Sequence, residues 1–158
     1  MEIDASPDVQ ADRFAQGFTC LGLFTARGAL AGVVWLGTGK SREGTMEVDF
    51  VLPANACWDT GMWIHPDYRR GRAFAALWAG VGAWMDERGL SHSYSIIVDY
   101  NVPSLTSHRR LDMHNVATLL VLRIGRWQWI ARGSDRWRLV ERSQRLNWCL
   151  PDIMRLPA

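Results

Sequence analysis

The chain is short of cysteine, of lysine and of net charge, and each shortage closes off a class of protein. Cys20, Cys57 and Cys149 are odd in number, far apart and free of any CxxC, so they form neither a disulfide framework nor a zinc site. A reduced, cytoplasmic setting is the expectation. The formal charge of +2 is too small to argue for nucleic acid. No apolar run reaches the length of a membrane span. Met1 to Gln16 carries acids and no apolar core, so it does not read as a signal peptide. His65, His92 and His114 lack metal-ligand spacing, and no metal is expected. Gly-x-Ser-x-Gly is missing, as is an evident Cys–His pair, which leaves no nucleophile motif.

What remains is an ordinary globular composition with two biases. At 158 residues the chain can close one hydrophobic core without staples. Lys40 is the only lysine; every other strong base is arginine, whose planar fork suits bidentate binding of phosphate and carboxylate. A genome-wide arginine bias accounts for most of these positions equally well. Nine tryptophans are unusual, and core packing is their default explanation.

Periodicity divides the chain into strands, then a helix, a strand, a helix and a hairpin. Val9 to Ala15 suits a short helix. Leu21–Ala26 and Leu30–Leu36 flank a turn at Arg27-Gly28-Ala29, Gly37–Gly44 reads as a polar loop, and Thr45–Leu52 and Trp58–Ile64 read as strands. From Ala73 to Arg88, Phe74, Leu77, Trp78, Val81, Trp84 and Met85 recur at helical spacing, and Gly89 is a natural stop. Tyr94–Tyr100 reads as a buried strand, a shorter helix begins near Pro103, and Val116–Ile124 with Trp127–Ala131 forms a second hairpin. Arg136 to Ala158 reads as a surface tail.

Gly37-Thr38-Gly39-Lys40-Ser41 imitates the end of a phosphate-binding P-loop. The earlier glycine that motif needs is Val34, and a strand rather than a helix follows.

The chemistry concentrates between Trp58 and Met113. A strand ends in Ile64-His65-Pro66-Asp67-Tyr68 and passes through Arg69-Arg70-Gly71-Arg72 into the long helix. Such a loop turns backbone N–H groups and a helix dipole toward one point, and the three arginines add fixed charge. A pyrophosphate is the natural guest. One strand later comes Asn101-Val102-Pro103-Ser104, then His108 and Leu111-Asp112-Met113.

In order and spacing these segments resemble the GNAT superfamily of N-acetyltransferases. Those proteins carry a strand, an arginine- or glutamine-led glycine loop over the coenzyme A pyrophosphate, a helix, a strand, and an asparagine opening a shorter helix with a tyrosine. The resemblance extends over about residues 21–131 in element order and over 64–76 and 101–113 at motif level. It implies an α/β fold of the α+β type: a mixed, mostly antiparallel sheet with flanking helices and an abbreviated N-terminal region. One domain over residues 1–158 is expected, with a core at about 21–131 and a C-terminal extension at 132–158.

The resemblance assigns acyl-CoA contacts to Trp63, Ile64, Arg69, Arg70, Gly71, Arg72, Ala73, Phe74, Asn101 and Ser104. The strand's backbone N–H groups would face the thioester carbonyl and pantetheine. Arg72 and Phe74 make the loop bulkier than the family's usual small residues, so arginine side chains would take more of the phosphate. His108 stands where the family commonly has its tyrosine, as proton donor to the leaving sulfur; histidine as a residue type can serve there. For the base, Asp59 is the first candidate, with Glu47 and Asp49 as alternatives and Asp99 and Tyr100 as further pocket residues.

The activity so implied is transfer of an acyl group, acetyl by default, from acetyl-CoA or another acyl-CoA to a small-molecule or peptide amine. A second hypothesis is a catalytically silent member that binds a ligand or partner: the abbreviated front end, the bulky loop and the absent tyrosine favour it, while Asn101, Ser104 and the arginine loop argue against it. An arginine-rich nucleic-acid binder ranks last, because the arginines scatter through several elements. The hairpin Leu119–Trp129 is compatible with a homodimer.

Overall fold

The computed structural model describes residues 5–43, 46–69, 71–133, 135–141 and 144–152. In chain order they form α1 (Pro7–Ala15), β1 (Thr19–Phe24), β2 (Leu30–Thr38), β3 (Lys40–Arg42), β4 (Val48–Val51), β5 (Ala56–Ile64), α2 (Ala73–Asp86), β6 (His92–Tyr94), α3 (Val102–Arg109), β7 (Leu119–Ile124), β8 (Trp127–Arg132), β9 (Arg138–Glu141) and β10 (Leu146–Cys149). The mixed α+β class expected from the sequence is the class observed. Two compact units divide the chain: Met1–Ser41, Phe50–Ser95 and Cys149–Ala158 form one, Arg42–Asp49 and Ile96–Trp148 the other.

The first unit is built on a four-stranded sheet in the order β1-β2-β5-β6. β1 and β2 are the expected hairpin, and β5 adds antiparallel to β2. β6 then joins β5 in parallel after the α2 crossover. Leu77, Val81 and Trp84 lie four and three residues apart, which puts them on one helix face. There they close on Val34, Leu36 and Cys57 from the sheet. Fully burying side chains of this size contributes roughly 1.5–3 kcal/mol each, enough to offset the weak α-preference of Val81 and Trp84. Gly89, at φ 64°, ends the helix as expected: the Leu90 N–H returns to the Met85 carbonyl at 3.0 Å.

The second unit holds the antiparallel sheet β7-β8-β9 and α3. Gln128, Ile130, Ala131 and Val140 are buried within it. Arg145 donates to Asp49, to Glu47 Oε2 at 3.2 Å and to the Val48 carbonyl at 2.8 Å. Alternation does place Glu47 and Asp49 on one face, but the face is occupied by an internal guanidinium. All three side chains are largely buried, so removing the cation strands two carboxylates. Arg145→Met is expected to lower unfolding free energy by about 2–3 kcal/mol in urea titrations, somewhat below the usual cost of breaking a fully buried pair. A change under about 0.5 kcal/mol would mean that solvent already screens the cluster.

Three expectations are corrected. The strand foreseen over Tyr94–Tyr100 stops at Tyr94. Ile96, Ile97 and Val98 have no regular structure, and Tyr100 is 82% exposed in a turn. A strand is a property of its ladder, and the β5–β6 ladder ends at Trp58 opposite Tyr94. The polar loop Gly37–Gly44 contains β3, which follows β2 after a bend at Gly39, φ 74°. The supposed C-terminal surface tail contributes β9 and β10 and buries Val140. No helix follows the P-loop imitation; Lys40 opens β3.

Candidate active site

β5 changes character along its length. Val33 pairs with Trp63 and Trp35 with Thr60, so Gly61 and Met62 together oppose Val34, a β-bulge. Gly61 sits at φ 57°, and a Cβ there would collide with the Arg13 guanidinium. Arg13 also lies over the Trp35 ring at 5.3 Å, and Phe14 meets that ring edge-on. The positive φ is what calls for glycine here, since the Arg13 guanidinium sits at the far end of a flexible side chain.

Beyond Trp58 no strand among the described residues pairs with the β6 side of β5. The His65 N–H donates to the Ala31 carbonyl at 2.9 Å, so residue 65 faces β2. Antiparallel alternation then turns the N–H and carbonyl of Ile64 to the opposite, open edge. Its carbonyl accepts from Arg69 Nε at 2.9 Å. The exit of β5 thus presents backbone groups on an open edge and runs straight into the basic loop.

The loop is more self-contained than its sequence suggests. The Tyr68, Arg69 and Gly71 amides donate to the carbonyls of His65, Pro66 and Tyr68. The Asp67 amide donates to His65 Nδ1 at 3.3 Å. What the fold leaves for an anion is the start of α2. Its first hydrogen bond runs from the Ala76 N–H to the Arg72 carbonyl at 2.9 Å, and Arg72 gives no side-chain cap. First-turn amides have no acceptor inside their own helix. They point, with the positive end of the helix dipole, to where Arg72 and Gly71 are exposed. The bulk at Phe74 turns onto its own helix, its ring 6.4 Å from that of Trp78. A Cβ on Gly71 would meet only the Tyr68 carbonyl at 3.5 Å, ordinary contact, so nothing within the protein demands glycine there. These features fit a phosphate at the α2 N-terminus. Arg70 lies outside the described residues.

Asp59 follows the last β5–β6 pair and is 3% exposed. Ser93 donates to its Oδ2 at 2.6 Å. Cys57, across the ladder from Ser93, has its thiol pushed up chiefly by burial, with a further upward push from Asp59, and Ser93 opposing both. A buried thiol held protonated is no nucleophile at neutral pH.

In the second unit, Asn101 caps α3: its Oδ1 accepts the Ser104 N–H at 3.3 Å, and proline occupies the first turn. His108 is only 7% exposed and is the single buried residue of α3. Its Nδ1 lies 2.8 Å from the Ser104 carbonyl, one turn back, and 3.4 Å from Ser104 Oγ. A carbonyl can only accept, so Nδ1 carries the proton. Ser104 therefore orients the imidazole. Past the helix end, Asp112 adopts φ 59° while the Met113 N–H returns to the His108 carbonyl. That left-handed position is one that ordinarily favours glycine.

Asp99 and Tyr100 lie exposed in a turn. Among the described residues no group of three or more His, Cys, Asp or Glu could hold a metal ion. No described helix is long and apolar enough to cross a membrane.

No family model and no curated protein matches the sequence. Solved structures do match. The aminoglycoside acetyltransferase AAC(6')-Iy, in complex with a bisubstrate analog of coenzyme A, superposes with a TM-score of 0.58 at 15% identity over 76% of this chain and 81% of its own. AAC(6')-Ih from Acinetobacter baumannii gives 0.56 at 18% identity over 77% and 82%. Ribosomal-protein-alanine N-acetyltransferase from Brucella melitensis gives 0.53 at 17% over 76% and 82%. The chain has the GNAT fold.

Within that GNAT fold, the first unit brings together Trp63, Ile64, Arg69, Gly71, Arg72, Ala73 and Phe74 along one continuous stretch from β5 into α2. The second gathers Asn101, Ser104 and His108 on α3. Sequence reasoning missed the bulge, Ser93 and Arg145. Gly61 inside a strand pattern was a usable signal for the bulge. Ser93 and Arg145 act through pairings 34 and 96 residues away, for which one sequence carries no signal.

Proposed function

We propose that this protein is an N-acyltransferase that moves an acyl group, acetyl by default, from a coenzyme A thioester to an amine by direct attack. The observation that carries the reading is the open edge of β5 at Ile64 leading into the uncapped N-terminus of α2. Acetyltransferase neighbours of the same fold support it. Coenzyme A supplies the acyl group as an activated thioester. Arg72, Arg69, Arg70 and the first amides of α2 hold its phosphates, and Ile64 N–H polarises the carbonyl. Asp59, oriented by Ser93, takes a proton from the attacking amine through water. His108 gives its Nε2 proton to the departing sulfur. One C–N bond forms, one C–S bond breaks, and solvent returns the proton from Asp59 to His108. The acceptor is an amine on a small molecule or a peptide.

Calorimetric titration tests the first step. Acetyl-CoA is expected to bind in the micromolar range and S-acetylpantetheine, which lacks the pyrophosphate, far more weakly. The internal use of four loop amides and the Ser93 bond on Asp59 favour, as a second reading, a ligand-binding protein without turnover. No heat from acetyl-CoA or a longer acyl-CoA would decide for that reading.

A further inference from the structure

β7 is an edge strand with the composition of a central one. Alternation puts Leu120, Leu122 and Ile124 on one face, wholly apolar, and Leu119, Val121 and Arg123 on the other. Yet in the order β7-β8-β9 it has β8 on one side and no strand among the described residues on the other. Its pairing with β8 runs without a bulge and it carries no proline, Arg123 being its one charged residue. Register places Leu122 opposite Trp129 and Trp129 opposite Leu139. Alternation adds Leu120, Ile124 and Trp137 to that same face. Leu122, Ile124, Trp129 and Trp137 line an apolar depression in it. The five most prominent side chains, Leu120, Leu122, Ile124, Trp137 and Leu139, are each about half exposed.

Half of five large side chains is on the order of 500 Å² of apolar surface, near the upper end of what a monomer tolerates as its largest patch. With the rim it approaches the roughly 800 Å² per partner of a standard interface. The rim carries both signs: Glu141, opposite Trp127 in the ladder, pairs with Arg126 at 3.3 Å. An anionic membrane would select a rim of one sign, whereas a self-matching surface needs both.

We propose that the β7-β8-β9 face is the interface of a homodimer, in which a second copy packs the same face across a two-fold axis. The side chains at its centre, Leu122 and Ile124, meet their counterparts and bury the depression. This inference is independent of the reaction proposed above.

Sedimentation equilibrium over a concentration series is the test, on the full chain and on a Leu122→Glu/Ile124→Lys variant. Both positions are exposed, so the variant is expected to keep the wild-type circular dichroism and melting temperature. The wild type should sediment at twice the chain mass of 17.9 kDa and the variant at the chain mass. A wild type that stays monomeric at the highest soluble concentration overturns the proposal. So does a variant that still dimerises with native spectra, since the interface then lies elsewhere. Binding of the monomeric wild type to phosphatidylserine vesicles would also overturn it, in favour of a membrane-facing surface. Should the variant fail to fold, Leu120→Ser/Leu139→Ser serves in its place under the same criteria.

Discussion

Arg72→Asp is expected to weaken acyl-CoA binding by about 100-fold or more while leaving the protein as stable as before or slightly more so. The two effects have opposite signs because they draw on one field. The residue precedes the first turn of α2, where no side-chain cap answers the helix amides. A carboxylate there interacts favourably with the dipole, by about 0.3–1 kcal/mol at an exposed site. A phosphate at the same amides meets the reverse: one positive charge lost, one negative charge gained and its donors occupied. Losing a charge-assisted contact costs roughly 1.5–3 kcal/mol, and repulsion adds to it. Calorimetry with acetyl-CoA and thermal unfolding without ligand read the two quantities separately. If affinity fell together with stability, Arg72 would be holding the loop rather than the ligand. If affinity were unchanged, the phosphate site would have to be sought away from α2.

How much of this was legible beforehand follows from where each signal lives. The helices could be read because their determinants are local: Leu77, Val81 and Trp84 recur at helical spacing, and Gly89 and Pro103 mark boundaries. The same reading went wrong at Ile96-Ile97-Val98, where β-branched residues suggested a strand but the ladder on β5 ends at Trp58. Strand identity depends on a neighbour, and the neighbour was not in the window. In the candidate site, the basic loop was visible as a cluster of arginines. That four of the nearby amides are consumed by His65, Pro66 and Tyr68 was not, because turn hydrogen bonds follow from backbone angles. The acids divide in the same way. Asp59, Glu47 and Asp49 look alike in sequence. Only long-range packing shows Asp59 bonded to Ser93 and the other two gathered by Arg145.

His108 offers the sharpest separation of chemistry from scaffold, through His108→Asn. The asparagine amide can take over the Nδ1–H bond to the Ser104 carbonyl but has nothing at the position of Nε2. The helix should therefore survive, at a cost of about 1 kcal/mol for the smaller side chain and its weaker helix preference. Acyl-CoA affinity should stay within about twofold, while kcat falls by about 10²- to 10⁴-fold, the usual worth of a positioned general acid. His108→Tyr, which restores an O–H donor, should recover part of the rate, a rescue that a purely structural role would not give. Turnover by His108→Asn within about threefold of the wild type would remove the imidazole from the reaction. Its burial and its bond to Ser104 would then be explained by helix packing alone.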